Sequence, residues 1–312
     1  MAPKATARQR VGRINLAIGA VAGASALALL WGASRAEAWW LCLALGIVFS
    51  FVNNTLFSLL HEAVHGVLHP SRAVNDASGW VLAAFFPIGF AFQRVVHLGH
   101  HRRNRTDAEL FDYLRPTDRV WLKRLQWYGL LTGFFWLLGP VVCALYVVLP
   151  GALEALFRGQ GLLATQAGGG AMLSGFDGAP RGRIQLEILG SAAFQLAVAA
   201  ALDLTLAGWL TCYGLFALNW GALQYADHAW SELDVRTGAW NLRVSPVVRW
   251  IFLNYHLHRA HHEHPTAPWT ELPSLVDPAH PSPSVLGIYL RMWRGPRPLP
   301  EGAVVPTVRA HD

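Results

Sequence analysis

Three runs of histidine carry the chemistry open to this chain: His61-Glu-Ala-Val-His65, His97-Leu-Gly-His100-His101 and His258-Arg-Ala-His261-His262. Neutral imidazole is the commonest protein ligand for metals. In a helix, residues four apart share a face and residues three apart nearly do. His61 and His65 can therefore point at one ion, and each HxxHH triad fills one patch on its own helix. Eight imidazoles exceed the four ligands of a structural zinc site and are enough for two metals with positions left open. Nitrogen ligands suit iron, copper, zinc or nickel, so the residues alone leave the metal undecided. Each run also borders a long apolar stretch, where ionisable groups are costly enough to mark function. Solvated or snorkelling interfacial histidines are the bland reading. It is adopted for His69, His280 and His311, and not for the three clusters.

The first run also matches HExxH, in which two histidines bind zinc and the Glu, here Glu62, is the general base of a metalloprotease. A zinc intramembrane peptidase is thus a competing reading, though it leaves both triads unexplained. A non-enzymatic metal carrier or structural membrane protein is another.

The elements that must position these residues are membrane helices. Of 312 residues, 53% are hydrophobic and only 14% charged, where soluble proteins carry about a quarter. Tryptophan is abundant, as aromatic belts at a membrane surface require. The chain reads as one integral membrane domain, 1–312. Its basic clusters, Lys4 to Arg13, Arg102 to Arg105 and Arg181/Arg183, read as positive-inside loops and not as a nucleic-acid surface. Cys42, Cys143 and Cys212 lie in apolar runs and fit neither a disulfide framework nor a CxxC site. That places the polar mass on a reducing side.

Spans of about 20 apolar residues are expected at 14–33, 39–60, 184–202 and 204–220. The basic N-terminus resembles a signal peptide, but the run after it is long and a second span follows at once. It reads as a retained first helix. Segment 80–92, broken by Pro87 and Gly89, is too short to cross and is expected to be interfacial or re-entrant. All three boxes must face one side to share metal, so the crossings between the second and third boxes must be even in number. Residues 126–157 are therefore expected to form a re-entrant or interfacial pair hinged at Gly139-Pro140. The alternative makes 126–149 the third span and 184–220 one very long span. Gly-rich residues 159–183 read as a flexible loop. Residues 221–312 read as a cytoplasmic cap, with 265–312 a Pro-rich tail lying on its surface. The fold class expected is all-α integral membrane: four transmembrane helices, interfacial or re-entrant helices, and a cytoplasmic histidine-rich cap holding a dimetal site.

HEAVHG at 61–66, HLGHH at 97–101 and HRAHH at 258–262, in that order around hydrophobic hairpins, resemble the membrane fatty acid desaturase family. That family also includes carotenoid ketolases and, more distantly, alkane hydroxylases. The resemblance covers about residues 45 to 275. It implies four spans, a cytoplasmic cap and a diiron centre that uses O2 to take hydrogen from an unactivated C–H bond. It also implies that His61, His65, His97, His100, His101, His258, His261 and His262 are the iron ligands. A ninth histidine usually stands between the last span and the third box, and His228 in QYADHAW is its candidate. Gln224 lies where related enzymes place an amide near the metal through water.

His256 and His264 exceed the family pattern. His256, two residues from His258, would point elsewhere on a helix and is expected behind the ligands. Metal-bound imidazoles usually donate their other N–H to a carboxylate or carbonyl. Glu62, Asp107, Glu109, Asp227 and Glu263 lie beside the boxes and are candidate partners. Arg102, Arg103 and Arg105 read as an ordinary charge run, with contact to a lipid head group or a redox partner as the alternative.

The function implied is O2-dependent desaturation of an acyl chain. The same ligands can serve a hydroxylase or ketolase of a fatty, terpenoid or carotenoid chain, so resemblance alone does not separate them. No CxxC pair, haem-attachment motif or GxGxxG occurs. The electrons are therefore expected from an external donor, ferredoxin or cytochrome b5-like, with its reductase. The other partners expected are the membrane and a lipid or acyl-chain substrate, with no nucleic acid.

Overall fold

Inside lipid a chain must satisfy its own backbone hydrogen bonds, and apolar helices do so. The computed structural model of the protein describes residues 2–158 and 168–308 and is mostly helical. Two long helices come first, α1 (Ala2–Arg35) and α2 (Trp39–His65), packed as a hairpin. Two bent pairs follow: α3 (Arg72–Phe85) with α4 (Phe90–Arg103), then α5 (Val120–Leu131) with α6 (Phe134–Val148). Short helices α7 (Pro150–Phe157) and α8 (Gly169–Ser174) lead to a second hairpin, α9 (Arg181–Ala201) and α10 (Leu206–Ala226). Beyond it lie α11 (Pro246–Ile251), α12 (His258–Glu263) and α13 (Val285–Met292). Strands β1 (Tyr113–Leu114) and β2 (Arg297–Pro298) pair in parallel.

Residues 6–35 of α1, together with α2 and α9, are long and apolar enough to cross a membrane. The bent pairs, at 93° and 95°, would each add a broken span or form a re-entrant loop, giving three to five candidate spans among the described residues. The predicted 14–33 and 39–60 fall inside α1 and α2, and 184–202 falls inside α9 but for its last residue, Leu202. Helix α10, covering the predicted 204–220, carries no charge, but its Trp, Tyr and Asn residues make it less apolar. Its Cys212, Tyr213 and Phe216 are buried with Phe49, Leu56 and Leu60 of α2 in one core. All three cysteines are free, as their apolar settings predicted.

Four expectations change. The α3/α4 break falls at residues 86–89, where Pro87 and Gly89 placed it, but the helices reach well beyond 80–92. The α5/α6 turn is not at Gly139-Pro140, because Pro140 lies inside α6. Proline removes one helical N–H, whereas reversing the chain here takes a left-handed residue, and Gly133 supplies it with φ 75°. The Pro-rich 265–312 stretch is no surface tail, since Trp269, Leu272, Ile288 and Met292 are buried and β2 completes the small sheet. Part of the Gly-rich 159–183 loop is the helix α8, and residues 159–167 lie outside those described.

Candidate metal centre

Helix ends build the site. The last two turns of α2 present His61 and His65, and Gly66, at φ 75°, then carries the chain away with its N–H on Ala63 O. The C-terminal half of α4 presents His97, His100 and His101. His228 follows the end of α10, and α12 supplies His258, His261 and His262. The C-terminal ends of α2, α4 and α10 aim the negative pole of the helix dipole at this region, which favours cations.

The nine side chains form two adjoining groups. His61, His65, His97, His101 and His261 make one; His100, His228, His258 and His262 make the other. Within each, one ring nitrogen per residue lies within 4.8 Å of all the others. His101 and His262, one from each group, stack at 4.2 Å between ring centroids. Six of the nine are buried, namely His61, His97, His228, His258, His261 and His262. Solvated histidines would not be.

The nitrogen contacts test whether a metal fits. Nε2 of His97 lies 2.9 Å from Nε2 of His65 and 3.1 Å from that of His101, which lies 3.0 Å from Nε2 of His261. Each ring nitrogen has one in-plane position, holding either a proton or a lone pair. Three successive contacts over four such atoms can include two full hydrogen bonds at most, so at least one close contact is left without one. Metal–imidazole bonds of about 2.1 Å set neighbouring ligands at right angles roughly 3 Å apart, matching these spacings. In the second group, Nε2 of His262 and His258 are 3.2 Å apart. Burial holds His228, His258, His261 and His262 well below the usual imidazole range. They are therefore in the neutral form that metal binding requires.

The sequence model described as "Fatty acid desaturase" matches residues 37–289. The chain belongs to the fatty acid desaturase family. Among characterised proteins it is similar to the beta-carotene ketolase of Paracoccus sp. (strain N81106 / MBIC 01143), 28% identical over 39% of this chain and 50% of that protein. It is also similar to the beta-carotene ketolase of Paracoccus sp. (strain PC1), 33% identical over 36% of this chain and 45% of that protein. The chain spans about half the length of these relatives.

In this desaturase-family chain the groups behind the histidines are uneven. His100 Nδ1 meets Glu109 Oε2 at 2.6 Å, and Arg103 Nε donates to the other Glu109 oxygen at 2.9 Å. His228 Nδ1 meets the Gly238 carbonyl at 2.9 Å. Partners of this kind fix tautomer and ring orientation. Asp227 is fully buried, 3.6 Å from His258 Nδ1 and 3.8 Å from His228 Nε2. Neither of its oxygens has a hydrogen-bond partner among the described residues. Burial drives its carboxyl far above the usual range, a cost that a neighbouring cation would remove.

Other candidates sit elsewhere. Glu62 Oε2 accepts from Trp269 N at 3.0 Å, and Glu62 hydrogen-bonds no imidazole among the described residues. Asp107 Oδ1 accepts from Val308 N at 3.2 Å, and Glu263 pairs with Arg259. Neither hydrogen-bonds an imidazole among the described residues. His256 is buried outside both groups. His69 accepts from Ser71 N, His280 pairs with Asp277, and His264 joins neither group. His311 lies outside the described residues. Gln224 Oε1 accepts from Tyr255 Oη at 3.3 Å, while its buried Nε2 has no partner among the described residues.

Sequence reasoning missed Tyr255. Its ring is 4.9 Å from His61 and 5.0 Å from His258, touching both groups. Its place three residues before His258 was the only available sign.

Proposed function

We propose that the protein is an O2-dependent membrane oxidoreductase whose nine histidines hold two iron ions. On this reading it introduces a double bond into the acyl chain of a lipid by C–H abstraction. The observation that carries it is the convergence of nine imidazoles, as adjoining groups of five and four, in a member of the desaturase family. Bound there, iron would supply the activation of O2 and the oxidising power to break an unactivated C–H bond.

The chain's own residues do the rest. Glu109 and the Gly238 carbonyl orient His100 and His228. Burial of the imidazoles keeps bulk water away. An apolar groove of about 400 Å³, lined by Ile47, Phe51, Leu218, Leu223 and Phe252 among others, lies between α2, α10, α11 and α13. Two of its lining residues are near the Gln224–Tyr255 pair in sequence, Leu223 beside Gln224 and Phe252 three residues before Tyr255. We assign the hydrophobic chain to this groove. Glu62, which a zinc peptidase would use as its general base, accepts from Trp269 N through Oε2.

We read α1, α2, α9 and α10 as the four spans and both bent pairs as re-entrant, with the histidines on the cytoplasmic face. Electrons would come from a ferredoxin or a cytochrome b5-like protein with its reductase. A second reading, ketolation or hydroxylation of a carotenoid or similar chain, is favoured by the similarity to two beta-carotene ketolases.

Lipid and carotenoid profiles with and without expression test both readings. A new double bond supports desaturation, while an added keto or hydroxyl group moves the assignment to the second reading. Metal analysis tests the class: about two irons per chain fit the proposal, and one zinc with activity surviving without O2 would sink it.

A further inference from the structure

The cluster Arg102–Arg105 is not the solvated run its composition suggested. Arg103, Asn104 and Arg105 are buried, Arg105 to 1% exposure. A buried guanidinium is tolerated only when its donors are used, and those of Arg105 are. Nη1 donates to Asp112 Oδ1 at 2.8 Å and to Tyr225 Oη at 3.2 Å. Nε donates to Glu232 O at 3.2 Å, and Nη2 to Ser231 O at 3.1 Å. The backbone at Arg105 is left-handed, φ 58°, a conformation a side-chain-bearing residue holds only when its surroundings enforce it.

Asn104 adds a second tie. Its Nδ2 donates to the carbonyls of Val235 and Gly238 at 3.0 and 3.1 Å. The Gly238 carbonyl is the one that meets His228 Nδ1, so it is shared between the histidine and Asn104. The approach is close, since a Cβ on Gly238 would stand 2.3 Å from Arg105 Cγ. Asp112 Oδ2 accepts from Trp230 N at 2.6 Å, and Tyr225 Oη accepts from Phe111 N at 3.0 Å. Residues 104–112, which carry Glu109, are thereby fastened to residues 225–238, which carry His228.

These ties serve one histidine group. His100, held by Glu109, and His228, held by Gly238, both belong to the group of four. His61 and His65 come from α2, His97 and His101 from the body of α4, and His261 from α12. No side-chain hydrogen bond of Asn104 or Arg105 reaches them among the described residues. The geometry points to Asn104 and Arg105 as positioning residues for the four-histidine site alone, so the two metal positions, though they share helices, differ in the groups that stand behind them. This inference rests on the two-metal reading above.

The test is an anaerobic ferrous-ion titration of the full-length chain in detergent, read by competition with a chromophoric chelator. Two binding sites in the unmodified chain uphold the two-metal reading; fewer would overturn that reading and this inference with it. In Asn104→Ala and Arg105→Met, one site is expected to weaken by about 10–100-fold, as loss of groups behind metal ligands does, while the other keeps its affinity. A general loss of packing would weaken both together. Two unchanged sites, or two equally weakened ones, overturn the positioning role. Where Arg105→Met does not purify as a monodisperse protein, Asn104→Ala, which keeps the buried Arg105–Asp112 ion pair, decides alone.

Discussion

Replacing His101 with alanine is expected to cut turnover by more than about 100-fold, beyond what loss of a partner behind a ligand costs. His101 joins the two groups of the centre. Its Nε2 stands 3.1 Å from that of His97 and 3.0 Å from that of His261, and its ring stacks on His262 of the other group. Removing it takes a ligand from the five-histidine group and the wall that separates the two groups. The surrounding core, with Phe49, Leu59, Leu60 and Phe216 buried against one another, is untouched. The variant should therefore insert, purify and keep its helical circular dichroism while its bound iron falls. Full turnover with unchanged iron would show that His101 is not a ligand.

Gly133→Ala is expected to be the most damaging single change outside the centre. A left-handed backbone costs a residue with a Cβ about 1–2 kcal/mol. Here the new Cβ would also stand 2.2 Å from Ala217 O and 2.7 Å from Leu218 N. Both are backbone atoms of α10 that cannot swing aside, and overpacking of this kind costs about 1–3 kcal/mol more. The contact is mutual, because a Cβ on Gly221 of α10 would meet Leu130 O at 2.5 Å. A loss of about 2–5 kcal/mol should appear as a lower thermal midpoint in detergent. Gly214→Ala, on the same helix with open space around its Cβ position, is the control. It should be neutral or stabilising by up to about 1 kcal/mol. Equal midpoints for the two variants would remove Gly133 as the pivot of the α5/α6 turn.

The legible part of this protein is what local spacing controls. The i, i+3, i+4 pattern put His97, His100 and His101 on one helix, and likewise His258, His261 and His262. Pro87 and Gly89 marked the break between α3 and α4 because their backbone demands are local. The α5/α6 turn was misplaced because Gly139-Pro140 is a strong local signal that a helix absorbed. Gly133 instead turns left-handed to meet a backbone more than eighty residues away. Partners behind the histidines were legible only by proximity: Glu109 meets His100, Asp227 stands 3.6 Å from His258 without a hydrogen bond, and Glu62, Asp107 and Glu263 turn to other groups. Adjacency to a histidine does not say which way a carboxylate points. Arg105 was hidden for the opposite reason: a run of arginines looks solvated until the fold brings Asp112, Tyr225 and two carbonyls around one of them.

The row of Nε2 atoms at about 3 Å has one more consequence. Its members come from α2, α4 and α12, stretches that only a completed chain can bring together. Without a cation at least one of its three contacts is no hydrogen bond; with one, the ion would close long loops much as a covalent bridge does. On the two-iron reading, iron supply would become a step of biogenesis. A chain made in its absence has its greasy helices in place and its last third unlatched, a state limited proteolysis after chelation would expose between residues 228 and 264.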